Sequence, residues 1–476
     1  MQVFENEEMR FSTVNAAVTF CRNLMTTRHA QLACFPVVTE NYWINRLVGI
    51  GVPQFENAAE TSITINDRQI AVPRGMFISP FVRVRYVVEK ALAYLGYDLA
   101  PGSFIDIAPF DDMVFLNDTL DTIVSGTIRY IDIVPNITIS TLFDVLRKFN
   151  VEPVPDETLK TIRLVSFNHV LASPAQADLS DCIHEDCTVH YHHDFKQLKL
   201  SSQRMSLPEI IKPFTVMTPR GLVSLVDTSR TDASFMDTLA RFPSAYIDRI
   251  AGSIRTPGFN GEREVDREVG SLSMDYFDGD PELSVEEKRF PDVVPEIISQ
   301  RTTTATGTST LNVTPYCGRG RFVQSSLEFS DESYSDLSDD RELRPMMCLV
   351  YNDATWQASF GTLSNYRIGG QKLWDYSLMF NGADGIFERF WRQRDNLLRN
   401  AFFEVEYDLL LSEKHKFTLS AVEKVILNSQ EYLISEMKYT PEETSIEVCR
   451  FLSVREQYSY HRLRARWNRC ASSGRI

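Results

Sequence analysis

138-TISTLFDVLRKFNVEPVPDETLKTIRLVSF-167 changes its hydrophobic rhythm part-way, and that change decides the fold class. The first half, 138-TISTLFDVLRKFNV-151, reads as an amphipathic helix with Thr138 or Ser140 as the N-cap. The second half, 157-ETLKTIRLVSF-167, reads as a strand entered through a Pro155-Asp156 turn. Helix, turn and strand in direct succession make an α+β unit. No glycine-rich loop joins a strand to a helix anywhere in the chain, so neither the dinucleotide nor the P-loop phosphate cradle is present.

Toward the N-terminus the same logic continues. Short β-like runs stand at 127-TIRYIDIV-134 and 113-MVFLND-118. In 81-FVRVRYVVEKALAYLGYDL-99, Val84, Val87, Val88, Ala91, Leu92 and Leu95 recur at helical spacing, and Gly96 stands where a C-terminal cap belongs. The stretch 61-TSITINDRQIAVPRG-75 reads as a hairpin, with Ile63 and Ile65 alternating up to an Asn66-Asp67 turn and Ile70 and Val72 resuming after it.

Toward the C-terminus the signals turn to β structure with long polar interruptions from about 185 to 330. The segments 255–270 and 299–315 read as loops, the second Thr-rich and equally open to an edge-strand reading. The run 328-EFSDESYSDLSDDRE-342 holds seven acids and lacks the spacing and glycine of an EF-hand, so it reads as a solvated loop. A helix is expected over 384-DGIFERFWRQRDNLLRN-400, capped by Asp384, with Ile386, Phe387, Phe390, Trp391, Leu397 and Leu398 as its apolar stripe. Strands follow at 402-FFEVEYDLLLS-412, across a hairpin centred on Asn428-Ser429-Gln430, and at 444-TSIEVCRFLSV-454. The end, 461-HRLRARWNRCASSGRI-476, has five arginines and no acid. It reads as a frayed terminus or as a docking arm for an acidic surface.

At 476 residues the chain exceeds one typical core, and its length alone gives a prior of about three domains. Hydrophobic residues at 43 % and charged residues at 24 % are ordinary globular composition. The formal net charge of −15 argues against a broad nucleic-acid grip, which needs clustered cations. It is compatible with a surface past which a polyanion slides without sticking. No secretory leader or membrane-length apolar run is read, and eight scattered cysteines do not form a disulfide framework.

The chemistry-bearing candidates are few. No G-x-S-x-G, H-E-x-x-H or C-x-x-C occurs, and Asp106, Asp111 and Asp112 are ordinary loop acids. One segment stands out: 182-CIHEDCTVHYHHDF-195 carries two of the eight cysteines and four of the eight histidines. Cys182 and Cys187 have loose zinc-finger spacing, and His184, His190, His192 and His193 lie near enough to complete a tetrahedron. Against this, a strand over 188–195 puts Thr188, His190 and His192 on one face and Val189, Tyr191 and His193 on the other. A closed site would also have to turn back across Asp186 without a glycine. The strand reading is adopted, and no catalytic residue, cofactor or metal is assigned.

The block 369-GGQKLWDYSLMFNGADGIFERFWRQRDNLLRNAFFEVEYDLLL-411 resembles a family of structural proteins encoded by phages and prophages of Bacteroidetes. The resemblance rests on Asp375 to Leu378 and on Asn381 to Trp391. It extends to 82-VRVRYVVEKALAYLGYDL-99 with 113–118, and to 136–171 with Asp178-Leu179-Ser180, over roughly residues 75 to 455. The helix-turn-strand unit also looks like the insertion of baseplate hub proteins in long-tailed phages. The resemblance implies an α+β, predominantly β fold with two β-barrel-like domains and an α+β insertion. Its segments would be 1–75, 76–180, a β-rich 181–345, 346–460 and the basic tail 461–476. It implies a non-enzymatic virion protein that joins the tail tube to a central spike or fibre. Such a protein assembles with copies of itself as a trimer or larger ring, and with tube, distal-tail and spike or fibre proteins, with DNA only as passing cargo. No peptidase or lysozyme pattern follows residue 455. Within the structural class the alternative is a tail adaptor of a short-tailed phage or a phage-like injection machine. From other classes stand a host-surface binding module and a metal-dependent hydrolase.

Overall fold

The computed structural model describes residues 2–40, 55–57, 62–65, 68–184, 188–191, 196–203, 246–248, 253–260, 263–271, 275–280, 282–303, 309–324, 345–352, 357–359, 367–368, 371–372, 376, 378–400, 403–412, 415, 419, 423–439 and 444–450. The fold is mixed α+β with more strand than helix. The α-helices among the described residues are α1 (Val14–Leu24), α2 (Val84–Tyr94), α3 (Ile139–Arg147), α4 (Phe167–Ala172) and α5 (Arg392–Asn400), the last continuing a π-helical turn, Phe387–Trp391. The strands form several modest sheets, the largest of seven, six and five strands, and no barrel closes among the described residues. No helix among them is long and apolar enough to cross a membrane.

Local chemistry explains the elements around the opening stretch. Thr138, and not Ser140, caps α3, its hydroxyl accepting the Thr141 N–H at 3.0 Å. Leu142, Val145 and Leu146, spaced by three and one, are buried on the inner face of this helix. Gly96 ends α2 at φ +82°, the left-handed conformation a C-terminal glycine cap adopts.

Pro155-Asp156 is not the turn. Both residues belong to strand Val151–Asp156, which pairs antiparallel with Thr161–Ser166, Pro155 opposite Ile162. Glu157–Lys160 makes the reversal, with Lys160 at φ +51° and the Asp156 carboxylate accepting the Thr158 and Leu159 amides at 2.9 Å. Prolines fit here because Val151–Asp156 is an edge strand, where a missing N–H need not break a ladder. Asp98–Leu99 completes this three-stranded sheet in parallel with Thr161 and Ile162.

Three other readings change. The segment 127–134 is a strand only over Thr127–Arg129 and then tightens into a 3-10 turn, Tyr130–Asp132. The supposed loop 255–270 is a hairpin, Ser253–Asn260 against Arg263–Ser271. The supposed loop 299–315 falls in a second hairpin, Glu296–Thr303 against Ser309–Arg319, whose strands lie inside the seven-stranded sheet and not at its edge. Both hairpins are dominated by Thr, Arg, Glu and Ser, so their alternation carries little hydrophobic signal; pairing with neighbours, not propensity, makes them strands. The hairpins at 61–75 and 423–441 match the expectation, the second turning at Asn428 (φ +51°) and Ser429 (φ +62°). The acidic run 328–342 and the tail 461–476 lie outside the described residues.

Sheets and core join sequence-distant segments. Leu32–Ala33, Phe81–Arg83, Met113–Phe115, Met347–Asn352 and Gln357–Ser359 form one five-stranded sheet. Val37–Glu40 and Phe55–Glu56 extend the sheet otherwise built from residues 246–319. One core holds Phe4, Val87, Leu142, Leu198, Phe290, Leu349 and Trp391 together, so all four expected segments 1–75, 76–180, 181–345 and 346–460 contribute to it.

Candidate functional site

The segment 378–400 and the α+β unit at 138–168 meet at one joint. Gly382 turns the chain at φ +91°, and Gly385 lies so close to the Asn381 carbonyl that a Cβ there would overlap it. Asp384 does not flank the helical turn as its cap; Ile386 does, without a side-chain cap. The Asp384 carboxylate, 6 % exposed, instead pairs with the Arg389 guanidinium at 2.6 Å.

Three polar contacts then fasten the two parts. The Trp391 indole N–H donates to the Lys148 carbonyl at 2.8 Å, the Asn150 amide donates to the Phe390 carbonyl at 2.9 Å, and the Asn168 amide donates to the Arg389 carbonyl at 2.8 Å. Asn150 sits at φ +53°, a conformation asparagine tolerates better than most residues. Phe104, Phe110, Phe149, Tyr376 and Phe390 fill the space between, with ring centroids 4.3–5.9 Å apart, mostly tilted or edge-on. Of the expected apolar stripe, Ile386, Phe387, Phe390 and Trp391 are buried, Phe390 in this cluster, Phe387 stacked on Tyr276 and Trp391 against Phe290, whereas Leu397 and Leu398 are half-buried. Chemically the joint holds two stretches of chain in one geometry.

A second concentration of charge lies where the loop after α1, the start of α2 and the 3-10 turn Phe110–Asp112 meet. Arg83 is 1 % exposed; its guanidinium reaches Asp112 at 2.5 Å and the His29 carbonyl at 2.6 Å. Arg28 pairs with Asp112 at 2.9 Å and Asp111 at 3.1 Å, so two cations face two anions. Burial, and then the neighbouring Asp112 charge, push the Asp111 carboxyl above its ordinary range. Burial, and then Arg83, hold the His29 imidazole below its own. His29 Nδ1 accepts the Gln31 and Leu32 amides at 3.2 and 3.3 Å, which fixes the ring as a neutral acceptor. Asp106, Asp111 and Asp112 do not converge as a catalytic carboxylate pair: Asp106 turns to Arg85 at 2.9 Å.

The Cys/His segment divides. Cys182 ends a 3-10 turn and is half-buried; burial, then Asp181 and Asp178, push its thiol up, away from the thiolate a metal needs. His184 is exposed. Residues 188–191 form the expected strand, at the edge of the six-stranded sheet, paired antiparallel with Phe403–Leu409 so that His190 stands opposite Glu404. Cys187, His192 and His193 lie outside the described residues. Among the described residues no three His, Cys, Asp or Glu side chains converge on a metal position. The pairing with 403–409 was not legible in the sequence, because nothing in either strand names its partner.

No family model, no curated protein and no solved structure matches the chain.

Proposed function

We propose that this chain is a non-enzymatic structural component of a phage tail, a baseplate hub that joins the tail tube to the central spike or fibre. The sequence blocks at 82–99, 136–171 and 369–411 support the reading, and one observation carries it. Residues of two of those blocks, Lys148, Asn150 and Asn168 in one and Arg389 to Trp391 in the other, are used in packing and in backbone-directed hydrogen bonds at a single joint, with Trp391, Asn150 and Asn168 as its fasteners. A frame that must transmit load between neighbours needs its recurring residues at such joints; an enzyme concentrates them around a substrate. Sheets assembled from distant parts of the chain suit the same role, since pulling on one segment loads several strands at once.

The test is assembly. Full-length protein examined by native mass spectrometry and negative-stain electron microscopy should form trimers or larger closed rings with a central opening. A protein that stays monomeric at every concentration, alone and with its tube protein, would refute the hub and leave the host-surface binding module as the better reading.

A further inference from the structure

The loop between α1 and strand Leu32–Ala33 is closed by an imidazole in a role that non-titrating side chains usually fill. His29 Nδ1 accepts the Gln31 amide at 3.2 Å and the Leu32 amide at 3.3 Å. Capture of a backbone amide two residues on is the habit of Asn, Asp and, more weakly, Ser, whose oxygens remain acceptors throughout the range in which histidine titrates. A histidine in that place makes the turn depend on one proton.

The same turn carries the edge of a sheet. The Arg83 amide donates to the Gln31 carbonyl at 2.8 Å, the Arg83 Nε–H donates to the His29 carbonyl at 2.6 Å, and the Tyr130 hydroxyl donates to Gln31 Oε1 at 2.5 Å. Phe20 of α1 meets the imidazole edge-on, with ring centroids 5.5 Å apart. Leu32 and Ala33 then pair with Val82 and Phe81 as the outer strand of the five-stranded sheet. Leu32, whose amide the imidazole holds, is the first residue of that edge.

The charges gathered at this turn are Arg28 from the loop itself, Arg83 from the end of strand Phe81–Arg83, and Asp111 and Asp112 from the 3-10 turn. Arg83 is buried and its Nη2 has no hydrogen-bond partner among the described residues. An imidazolium carries N–H at both ring positions, so neither orientation of the ring can accept an amide. Protonation would set a third donor against the Gln31 and Leu32 amides and a second cation beside Arg83. His29 is only half-buried, within reach of solvent protons.

We propose that His29 is an acid-sensitive latch: when its imidazole takes a proton, the 25–31 turn opens, Leu32–Ala33 leaves Val82 and Phe81, and the outer edge of strand Phe81–Arg83 is uncovered. Burial and Arg83 hold the imidazole below its ordinary range in the closed turn. Each pH unit below about 6.5 therefore raises the opened population by up to about tenfold, until the closed form is itself protonated. Asp111 acts in the opposite sense. Its carboxyl is held above the ordinary range, so acid removes a cost of closure there and does not open the turn. The latch uses contacts between residues 20 and 130 alone and does not depend on the tail reading.

Hydrogen exchange of the full-length protein at about pH 7.5 and about pH 5, corrected for the intrinsic pH dependence of amide exchange, reads the latch. Peptides covering 25–33 should lose protection by about tenfold at the lower pH, while those of the hairpin 424–439 should not change. His29→Asn supplies a non-titrating oxygen for the same amides and should keep the segment protected at both pH values. His29→Ala should leave it open at both, and Asp111→Asn should leave the acid opening in place. Equal protection of the parent protein at both pH values overturns the latch. So do a His29→Asn protein that opens in acid like the parent, a His29→Ala protein that stays closed, and an Asp111→Asn protein that no longer responds to acid.

Discussion

Trp391→Phe tests whether the joint between the 378–400 segment and the α+β unit is as decisive as its contacts indicate. The indole is 3 % exposed and donates to a carbonyl of Lys148, itself 1 % exposed, at 2.8 Å. Phenylalanine keeps a ring for the neighbouring Phe290, whose centroid lies 5.6 Å away, but removes the donor. A buried carbonyl deprived of a partner costs about 1–3 kcal/mol. The smaller ring adds a fraction of the about 3–5 kcal/mol that truncation of a buried Trp to Ala costs. Together these give a loss of about 2–4 kcal/mol in the free energy that opens the joint. A chain with several sheets is poorly described by one global transition, so native-state hydrogen exchange is the assay of choice. Amides of α3 and of residues 386–400 should lose protection together, while those of the hairpin 424–439 should not change. A matched control is Leu159→Ser at a 69 % exposed position, where the change should stay within about 0.5 kcal/mol. A Trp391→Phe effect no larger than that control, or one confined to α5 without α3, would refute the claim that these elements form one unit.

The remaining predictions concern other contacts. Asp121, wholly buried, accepts the Val323 amide at 2.9 Å and the Gln324 amide at 2.7 Å, so Asp121→Ala should weaken this tie by about 2–4 kcal/mol and speed tryptic cleavage after Arg321. Gly385→Ala forces a Cβ onto the Asn381 carbonyl and should cost about 3 kcal/mol or more, whereas Gly96→Ala, at φ +82° in open space, should cost about 1–2; urea midpoints by circular dichroism should rank them in that order. Because His29 is held below its ordinary value, the fold favours its neutral form. Its contribution is therefore complete above about pH 6.5 and is lost as the pH falls through the depressed folded-state value. His29→Gln should flatten the decline in urea midpoint below that pH, and an unchanged slope would remove His29 as its cause. Glu7, held low mainly by the Tyr86 hydroxyl, and Asp278, held low mainly by Arg392, act in the same sense only at the lower pH where carboxylates titrate.

What the sequence determined by itself was local. The change of rhythm at 138–167 correctly predicts helix then strand, because hydrophobic period and capping chemistry act over a few residues and Thr138 and Gly96 are caps in any context. The same holds for the hairpins at 61–75 and 423–441 and for the apolar stripe of Ile386, Phe387, Phe390 and Trp391. The sequence failed where local signal is weak: polar strands such as Arg263–Ser271 and Ser309–Arg319 show little hydrophobic alternation, and prolines at 153 and 155 imitate a turn when they sit on an edge strand. Partner choice was decided by the tertiary structure alone. A strand's pattern says which face is buried but not which strand lies beside it, and a shift of one residue would exchange the faces. So Asn150, at the end of the stretch read as a helix, and Phe390, read as part of an apolar stripe, show no relation until packing joins them across 240 positions of chain. His190 likewise read as a surface histidine in a cluster of its own kind, and only the long-range register that pairs Thr188–Tyr191 with Phe403–Leu409 sets it beside Glu404.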